Sequence, residues 1–365
     1  MQKQIEEKVR AGARITEPEA EFLFRQKDLL RLGKLANAVK EKKNGRGIFF
    51  NLNRHINPTN YCKNRCRFCA FSASFGDPHG FELSLPEMEE IAQKAGDIYE
   101  FHLVGGLHPE WDFEFYLEIL RRLKKLRPEV LIQAYTAVEI DHFSKISGLS
   151  LEQVIAQLKI AGLDAVPGGG AEIFNPKVRK KICPEKISGK RWLQIHQALH
   201  RAGIPSNATM LYGHLETYQD RVDHLKRLRL LQDRTQGFQA FIPLAFHPLN
   251  TRLNHPYYTT GIDDLKTIAV SRIYLDNFPH IKAFWIMLGE KLAQVSLWFG
   301  ADDLDGTVEE EKITHMAGAQ TPEALAGEEL IRLIREAGRE PVLRDTLYRV
   351  KKIRRRRGTS RNDEL

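Results

Sequence analysis

Residues 48–73 read IFFNLNRHINPTNYCKNRCRFCAFSA: an apolar run, a proline-bearing turn, and then cysteines at 62, 66 and 69. The run IFFNLNRHI has the apolar and aromatic content of a strand, bounded by the turn residues Asn57 and Pro58. Directly after it, the thiols are spaced by three and then two intervening residues. Three thiols within eight residues form the donor set of a metal or redox site. The only other cysteine is Cys183, so 365 residues share four thiols, too few for a disulfide framework.

Outward from this stretch the chain alternates short apolar runs with amphipathic segments. Strands are expected at 48–56, 100–104, 130–136, 163–167, 206–211, 238–243 and 281–286, with a weak eighth near 301–304. Helical spacing of apolar residues marks 85–96, 112–126, 151–161, 188–203, 218–233, 263–277 and 289–299. Strict alternation calls for parallel strands with right-handed crossovers, and eight units predict an α/β fold closed into a (β/α)8 TIM-type barrel over 49–320. The runner-up, a doubly wound open sheet, lacks the expected GxGxxG after its first strand. Residues 1–48 read as an N-terminal helical extension. Residues 321–350 read as a C-terminal helical segment, its helix starting at Thr321 with Pro322 and Glu323 in the first turn.

Composition narrows the function class. The net charge of +8 comes from 55 basic and 47 acidic side chains. The tail 351–365 (KKIRRRRGTSRNDEL) carries seven basic and two acidic residues, leaving 48 against 45 elsewhere. Basicity is therefore a property of an end expected to be disordered, and nucleic acid is not expected as a partner. No run approaches the ~18 apolar residues of a membrane helix, and the charged amphipathic start has no apolar signal core, so a cytoplasmic protein without membrane contact is expected.

In a barrel, the loop after the first strand lies at the C-terminal mouth, where active sites sit. A structural zinc site would want a fourth ligand, and His55 and His79 belong to no finger pattern. Cys183 reads as a small buried apolar residue. Three thiolates with one open position suit a [4Fe-4S] cluster whose fourth iron binds something exchangeable.

CxxxCxxC with Phe68 before the last cysteine resembles the radical S-adenosylmethionine (SAM) superfamily. NPTNYCKNRCRFCAFSA (57–73), HLVGGLHPE (102–110), AYTAVEI (134–140), LDAVPGGGAEIF (163–174), KICPEKISGKRWL (181–193), NATMLYGHLET (207–217), FQAFIPLAFHP (238–248) and IMLGEKLAQV (286–295) resemble, within it, the aminofutalosine synthase family of the futalosine route to menaquinone. The resemblance spans residues 45 to 348. It implies a cluster on Cys62, Cys66 and Cys69, and SAM bound to the cluster's unique iron and consumed as co-substrate. It further implies addition of the 5'-deoxyadenosyl radical to the enolpyruvyl double bond of 3-[(1-carboxyvinyl)oxy]benzoate, giving aminodeoxyfutalosine.

The resemblance also places residues around the cofactor. Gly105 and Gly106 stand where the superfamily has a Gly-Gly-Glu-like motif, with Leu107 in place of the acid; a turn is the other reading of the pair. Glu139, expected at the end of strand three, is either an acceptor for the cofactor or a surface ion-pair partner. Tyr212 and Glu216 fall in a run resembling the adenine-proximal GxIxGxxE segment, with Thr209 in place of its first Gly. Gly168, Gly169 and Gly170 beside Glu172 form either a carboxylate-approaching turn or a simple loop. For substrate and proton chemistry His102, His108, Asn207, His247 and Glu290 fall at or beyond expected strand ends. The dicarboxylate aryl enol ether needs a cationic group or backbone nest at each carboxylate, for which Arg179 and Arg191 are the expected residues.

An unidentified one-electron donor of flavodoxin or ferredoxin type is the implied partner. The rivals are a hydrogen-abstracting relative, either a dehypoxanthine futalosine cyclase or a deazaflavin synthase subunit, and, from another class, a zinc-stabilised RNA-binding protein.

Overall fold

The computed structural model describes residues 1–253 and 257–353, so the expected tail lies outside the described residues from 354 onward. Its strands are β1 Gly47–Asn51, β2 Asn53–Ile56, β3 Glu100–Leu103, β4 Leu131–Ala134, β5 Ser206–Tyr212, β6 Phe238–Ala245, β7 His280–Ile281, β8 Asp303–Gly306 and β9 Glu340–Leu343. Among the described residues no helix is long and apolar enough to cross a membrane.

Strand pairing closes the barrel. β2, β3 and β4 pair in parallel, as do β5, β6 and β7. Parallel bridges join the groups: Gln133 to Ala165, Val166 to Ser206, and Lys282 to Asp303. β8 pairs with β1, which continues into β2 after Leu52, and Arg54 bridges Glu309. Each of the eight barrel positions thus has a parallel neighbour on both sides, including the short eighth.

Four sequence expectations shift. The fourth strand, expected over 163–167, is reduced to bridging residues Ala165 and Val166, because Pro167 and three glycines follow at once. The seventh gives way after Ile281 to a helix Trp285–Leu288. The C-terminal helix begins at Gly327 rather than 321: the Thr321 hydroxyl donates to the Ile286 carbonyl instead of capping, and Leu325 N–H goes to Thr307 O. After it the chain forms β9, which pairs with β1.

The helices form for local reasons. Ser84 with Glu87, Thr136 with Glu139, Ser150 with Gln153 and Thr217 with Asp220 each make a reciprocal capping box. Phe113–Leu126 shows the packing: Phe113, Tyr116, Leu117, Leu120 and Leu123 recur every three or four residues and are buried, each aliphatic side chain contributing roughly 2 kcal/mol.

The N-terminal helices Gln2–Arg10, Glu17–Phe24 and Leu29–Asn44 pack outside the barrel, the third along Gly261–Tyr274. At the end of the barrel remote from the cysteines, residues 344–348 reach several strands. Arg344 binds Asp303 (2.7 Å), Thr346 donates to Glu100 (2.9 Å), and Tyr348 donates to Asp303 (2.7 Å) and stacks on His280. These contacts close that end and leave the other open.

Candidate active site

The cysteine loop leaves β2 and is braced from several sides. Cys62 N–H donates to Ala73 O (3.0 Å), Lys63 N–H to Leu107 O (2.9 Å), Arg67 N–H to Ile182 O (2.8 Å), and Arg252 N–H to Arg67 O (2.7 Å). The Arg65 guanidinium reaches Ser72 O (2.9 Å). A loop tied down in this way loses little further entropy when it takes a ligand.

Cys62, Cys66 and Cys69 all face one cavity of about 300 Å³ inside the open mouth. Among the described residues no group of three His, Cys, Asp or Glu is gathered as a single metal ion requires. A cubane takes each thiolate on a different iron, so its ligands need not converge on one point. Burial pushes the Cys66 thiol up to about 12 and raises Cys62 even with the Lys186 ammonium nearby, so their thiolates are costly without a further cationic partner. A soft, cationic iron-sulfur centre is such a partner, and the three residues fit it. Cys183 is 1 % exposed and does not line the cavity.

Phe68, Gly105, Gly106 and Glu139 line the same cavity. Glu139 sits in the helix Ala137–Ser147, not at the end of a strand, because TAVE is that helix's capping box. One carboxylate oxygen accepts Thr136 N–H (2.7 Å) and the other Gly105 N–H (3.3 Å), so the cap also ties the helix to the glycine turn. Burial nonetheless raises its carboxyl to about 7. A folded-state value above the unfolded one means that this group's contribution to stability falls as pH rises from about 4.5 to about 7. The stability of Glu139→Gln relative to wild type should therefore rise across that window by up to roughly 3 kcal/mol, read from urea midpoints at pH 5 and pH 8. A pH-independent difference would mean that Glu139 is not held in this environment.

Gly168, Gly169 and Gly170 also reach the wall, and a Cβ on Gly168 would fall 2.7 Å from the backbone of Ala208, so this glycine is required for packing against β5. Beside it Lys186 donates to Glu172 (2.7 Å) and lies over the Phe68 ring at 5.1 Å. Burial opposes the Lys186 charge, but Cys66 and Glu172 more than offset it and hold the ammonium above its ordinary value.

Of the residues expected to do substrate and proton chemistry, His102, Asn207 and His247 line the cavity. His247 Nε2 faces the Met287 carbonyl at 2.9 Å and must carry the proton there. Its Nδ1 is left as a buried acceptor without a partner, and burial lowers its basicity. Asn57 Oδ1 and Asn207 Oδ1 are likewise buried and unpartnered on the cavity wall. Such orphans are costly in a finished core and are expected where a ligand completes the bonding.

Other expected residues lie elsewhere. Glu290 begins the helix Glu290–Ser296 and does not line the cavity. Tyr212 points outward from β5 to donate to Asp264 (2.8 Å). Glu216 folds back onto the N–H groups of Gly213 and His214 and pairs with Arg221 (2.8 Å), bracing the turn after β5. His108 holds the Glu110 and Trp111 N–H groups and meets Glu82 at 2.6 Å. Arg179 is spent on carbonyls, including Ile173 O at 3.2 Å, and Arg191 on Asp141 at 2.6 Å, so neither reaches the cavity.

Sequence reasoning missed His55, Gln133, Lys186, Lys282 and Asp305, all of which line it. Part of the signal was present: His55, His102 and Gln133 stand on one face of β2, β3 and β4, and Lys282 directly follows β7.

Comparison with known proteins adds to this geometry. The model of the radical SAM superfamily matches residues 56–228, and that of the CofH/MqnC C-terminal region matches 235–357. The chain is 49 % identical to the aminodeoxyfutalosine synthase of Thermus thermophilus, over 94 % of each chain. It is 42 % identical to that of Streptomyces coelicolor, over 96 % of this chain and 94 % of the other. A 5-amino-6-(D-ribitylamino)uracil--L-tyrosine 4-hydroxyphenyl transferase of Methanopyrus kandleri is also 42 % identical, over 89 % and 90 %. In fold the chain matches methylornithine synthase at a TM-score of 0.74 and 17 % identity, covering 92 % of this chain and 97 % of the other.

Proposed function

This chain belongs to the radical SAM superfamily and, within it, to the aminodeoxyfutalosine synthase family, and from that premise we propose its reaction. It adds the 5'-deoxyadenosyl group of SAM to the enolpyruvyl double bond of 3-[(1-carboxyvinyl)oxy]benzoate. Rearrangement and decarboxylation then give aminodeoxyfutalosine for menaquinone biosynthesis. The observation that carries this is the near end-to-end match at 49 % identity. A [4Fe-4S] cluster held by Cys62, Cys66 and Cys69 supplies, when bound, the electron that cleaves SAM.

The chain's own residues provide the surroundings. Gly105, Gly106 and Glu139 offer backbone and carboxylate acceptors for the zwitterionic end of SAM, with Phe68 against the cluster loop. His102, Asn207 and His247 face the substrate, and His247 Nδ1 is placed to accept a proton or hydrogen bond. The apolar upper wall of Val138, Leu211, Leu244 and Phe246 excludes water from a carbon radical. The electron arrives from a flavodoxin- or ferredoxin-type donor, and the enzyme works in the cytoplasm.

The similarity to the 4-hydroxyphenyl transferase favours one second reading, a deazaflavin-type enzyme that abstracts hydrogen. Anaerobically reconstituted protein given SAM, reductant and the enolpyruvyl substrate should form the adenosylated product. Release of free 5'-deoxyadenosine with that substrate untouched, and consumption of L-tyrosine with the ribitylaminouracil, would establish the second reading instead.

A further inference from the structure

Resting on the function proposed above, we propose that Lys282 and His102 form a subsite for the ring carboxylate of the aryl enol ether, at the deep end of the cavity. His55, His102 and Gln133 stand opposite one another in the β2–β3–β4 register and so occupy one layer inside the barrel. That layer lies three to four residues, about 10 Å along the strand, below the Gly105–Gly106 turn.

Hydrogen bonds within the layer decide where the His102 proton sits. Asn207 Nδ2 donates to Gln133 Oε1 (3.0 Å), which fixes the orientation of the Gln133 amide. Gln133 Nε2 then points its donors at His102 Nδ1 (2.9 Å) and, at longer range, at Glu100 Oε1 (3.4 Å); the shorter contact makes Nδ1 the acceptor, and the imidazole carries its proton on Nε2. No described residue accepts from that N–H, and His102 lines the cavity.

Lys282 supplies the charge. Its side chain is 3 % exposed, and its ammonium has one partner among the described residues, Asp305 Oδ1 at 3.2 Å, so two donors remain. Asp305 is held in the left-handed region (φ 71°) with its N–H on the Asp303 carboxylate (2.6 Å), a strained arrangement that sets its own carboxylate beside Lys282. His55, stacked on His102 at 4.4 Å, is held neutral chiefly by burial, with the Lys282 ammonium adding to the effect. The deep end therefore presents to the cavity one ammonium with two donors to spare, beside Asp305, and one imidazole N–H, while the buried Glu100 carboxylate lies on the other side of His102; this pair of donors is the complement of a carboxylate.

The choice between the substrate's two carboxylates follows from depth. The enolpyruvyl carboxylate is attached to the reacting double bond, whereas the ring carboxylate is on the part that can reach away from the cysteine loop. Lys186 is already paired with Glu172 at the upper end. Arg179 and Arg191 are used elsewhere.

The test is calorimetric binding to the cluster-loaded enzyme of two probes: 3-[(1-carboxyvinyl)oxy]benzoate, and 2-phenoxyacrylate, which lacks only the ring carboxylate. Wild type should prefer the dicarboxylate by on the order of 100-fold, the range of a charge-assisted hydrogen-bond pair. In Lys282→Gln, with iron content and melting temperature as controls, the two probes should bind within about 3-fold of each other. Affinity for 2-phenoxyacrylate should stay near wild type, and Lys282→Arg should restore most of the preference. Retention of the full preference in Lys282→Gln, or an equal loss for both probes, overturns the subsite alone. A wild-type enzyme that neither binds nor turns over the dicarboxylate overturns the reaction itself.

Discussion

Replacing Cys66 with Ala is expected to yield folded, colourless protein with little iron and turnover reduced by roughly 10⁴-fold or more, because the remaining side chains contain no group that can cleave a sulfonium by one electron. The argument is local. Cys66 is 4 % exposed, its carbonyl accepts Cys69 N–H (3.1 Å) to close the loop, and its sulfur faces the cavity. Alanine keeps the backbone bond and removes only the sulfur, so two thiols would remain for a cluster that needs three. Iron and sulfide per chain, visible absorbance and anaerobic product formation are the readouts. Cys183→Ala is the control: that thiol is buried and does not line the cavity, so it should cost about 1–2 kcal/mol of stability and leave iron content unchanged. A brown, active Cys66→Ala protein would mean that the cluster is held elsewhere.

Gly106→Ala should be nearly as damaging, through space rather than chemistry. A Cβ at this position would sit 2.1 Å from the Tyr61 carbonyl oxygen and 2.7 Å from its carbon, distances that atoms do not adopt. Neither side can yield cheaply. Gly106 N–H donates to Thr59 O (2.8 Å), Tyr61 N–H is held by the Thr59 hydroxyl (3.0 Å), and Cys62 follows directly. Relief requires moving the backbone that presents the first thiol, so a loss of about 1–3 kcal/mol is expected together with poor cluster loading. Gly105→Ala, whose Cβ would approach Thr59 O only to 3.1 Å, should be milder on both counts. Melting temperature and iron content measure the two effects. If Gly106→Ala kept wild-type values for both, the close approach of these two turns would not be what seats the loop.

The misplacement of Glu139 shows why part of the site was hard to read from sequence. TAVE after an apolar run looks like the end of a strand, yet Thr136 and Glu139 at this spacing form a capping box that starts a helix. The carboxylate still reaches the cavity because the box turns it toward Gly105. Tyr212, Glu216 and Glu290 occupy the right layer in sequence, but their side chains are directed into Asp264, the Gly213–His214 turn and a helix start. Adjacency to a strand end indicates height in a barrel and not direction.

Local order therefore settled what depends on neighbours in the chain. Cysteine spacing pointed to the donor set, and alternation of strand and helix predicted a parallel barrel. Tertiary structure alone decided closure, since the two-residue β7 and the bridging Ala165 and Val166 become barrel positions only through hydrogen bonds to both neighbours. It also decided which cations face the cavity: Lys186 and Lys282 do, whereas Arg179 and Arg191 are used elsewhere. The physical reason is that strand register and helix packing bring together residues as far apart in the chain as Gly47 and Glu340, and nothing in the spacing of nearby residues encodes which of those distant partners will meet.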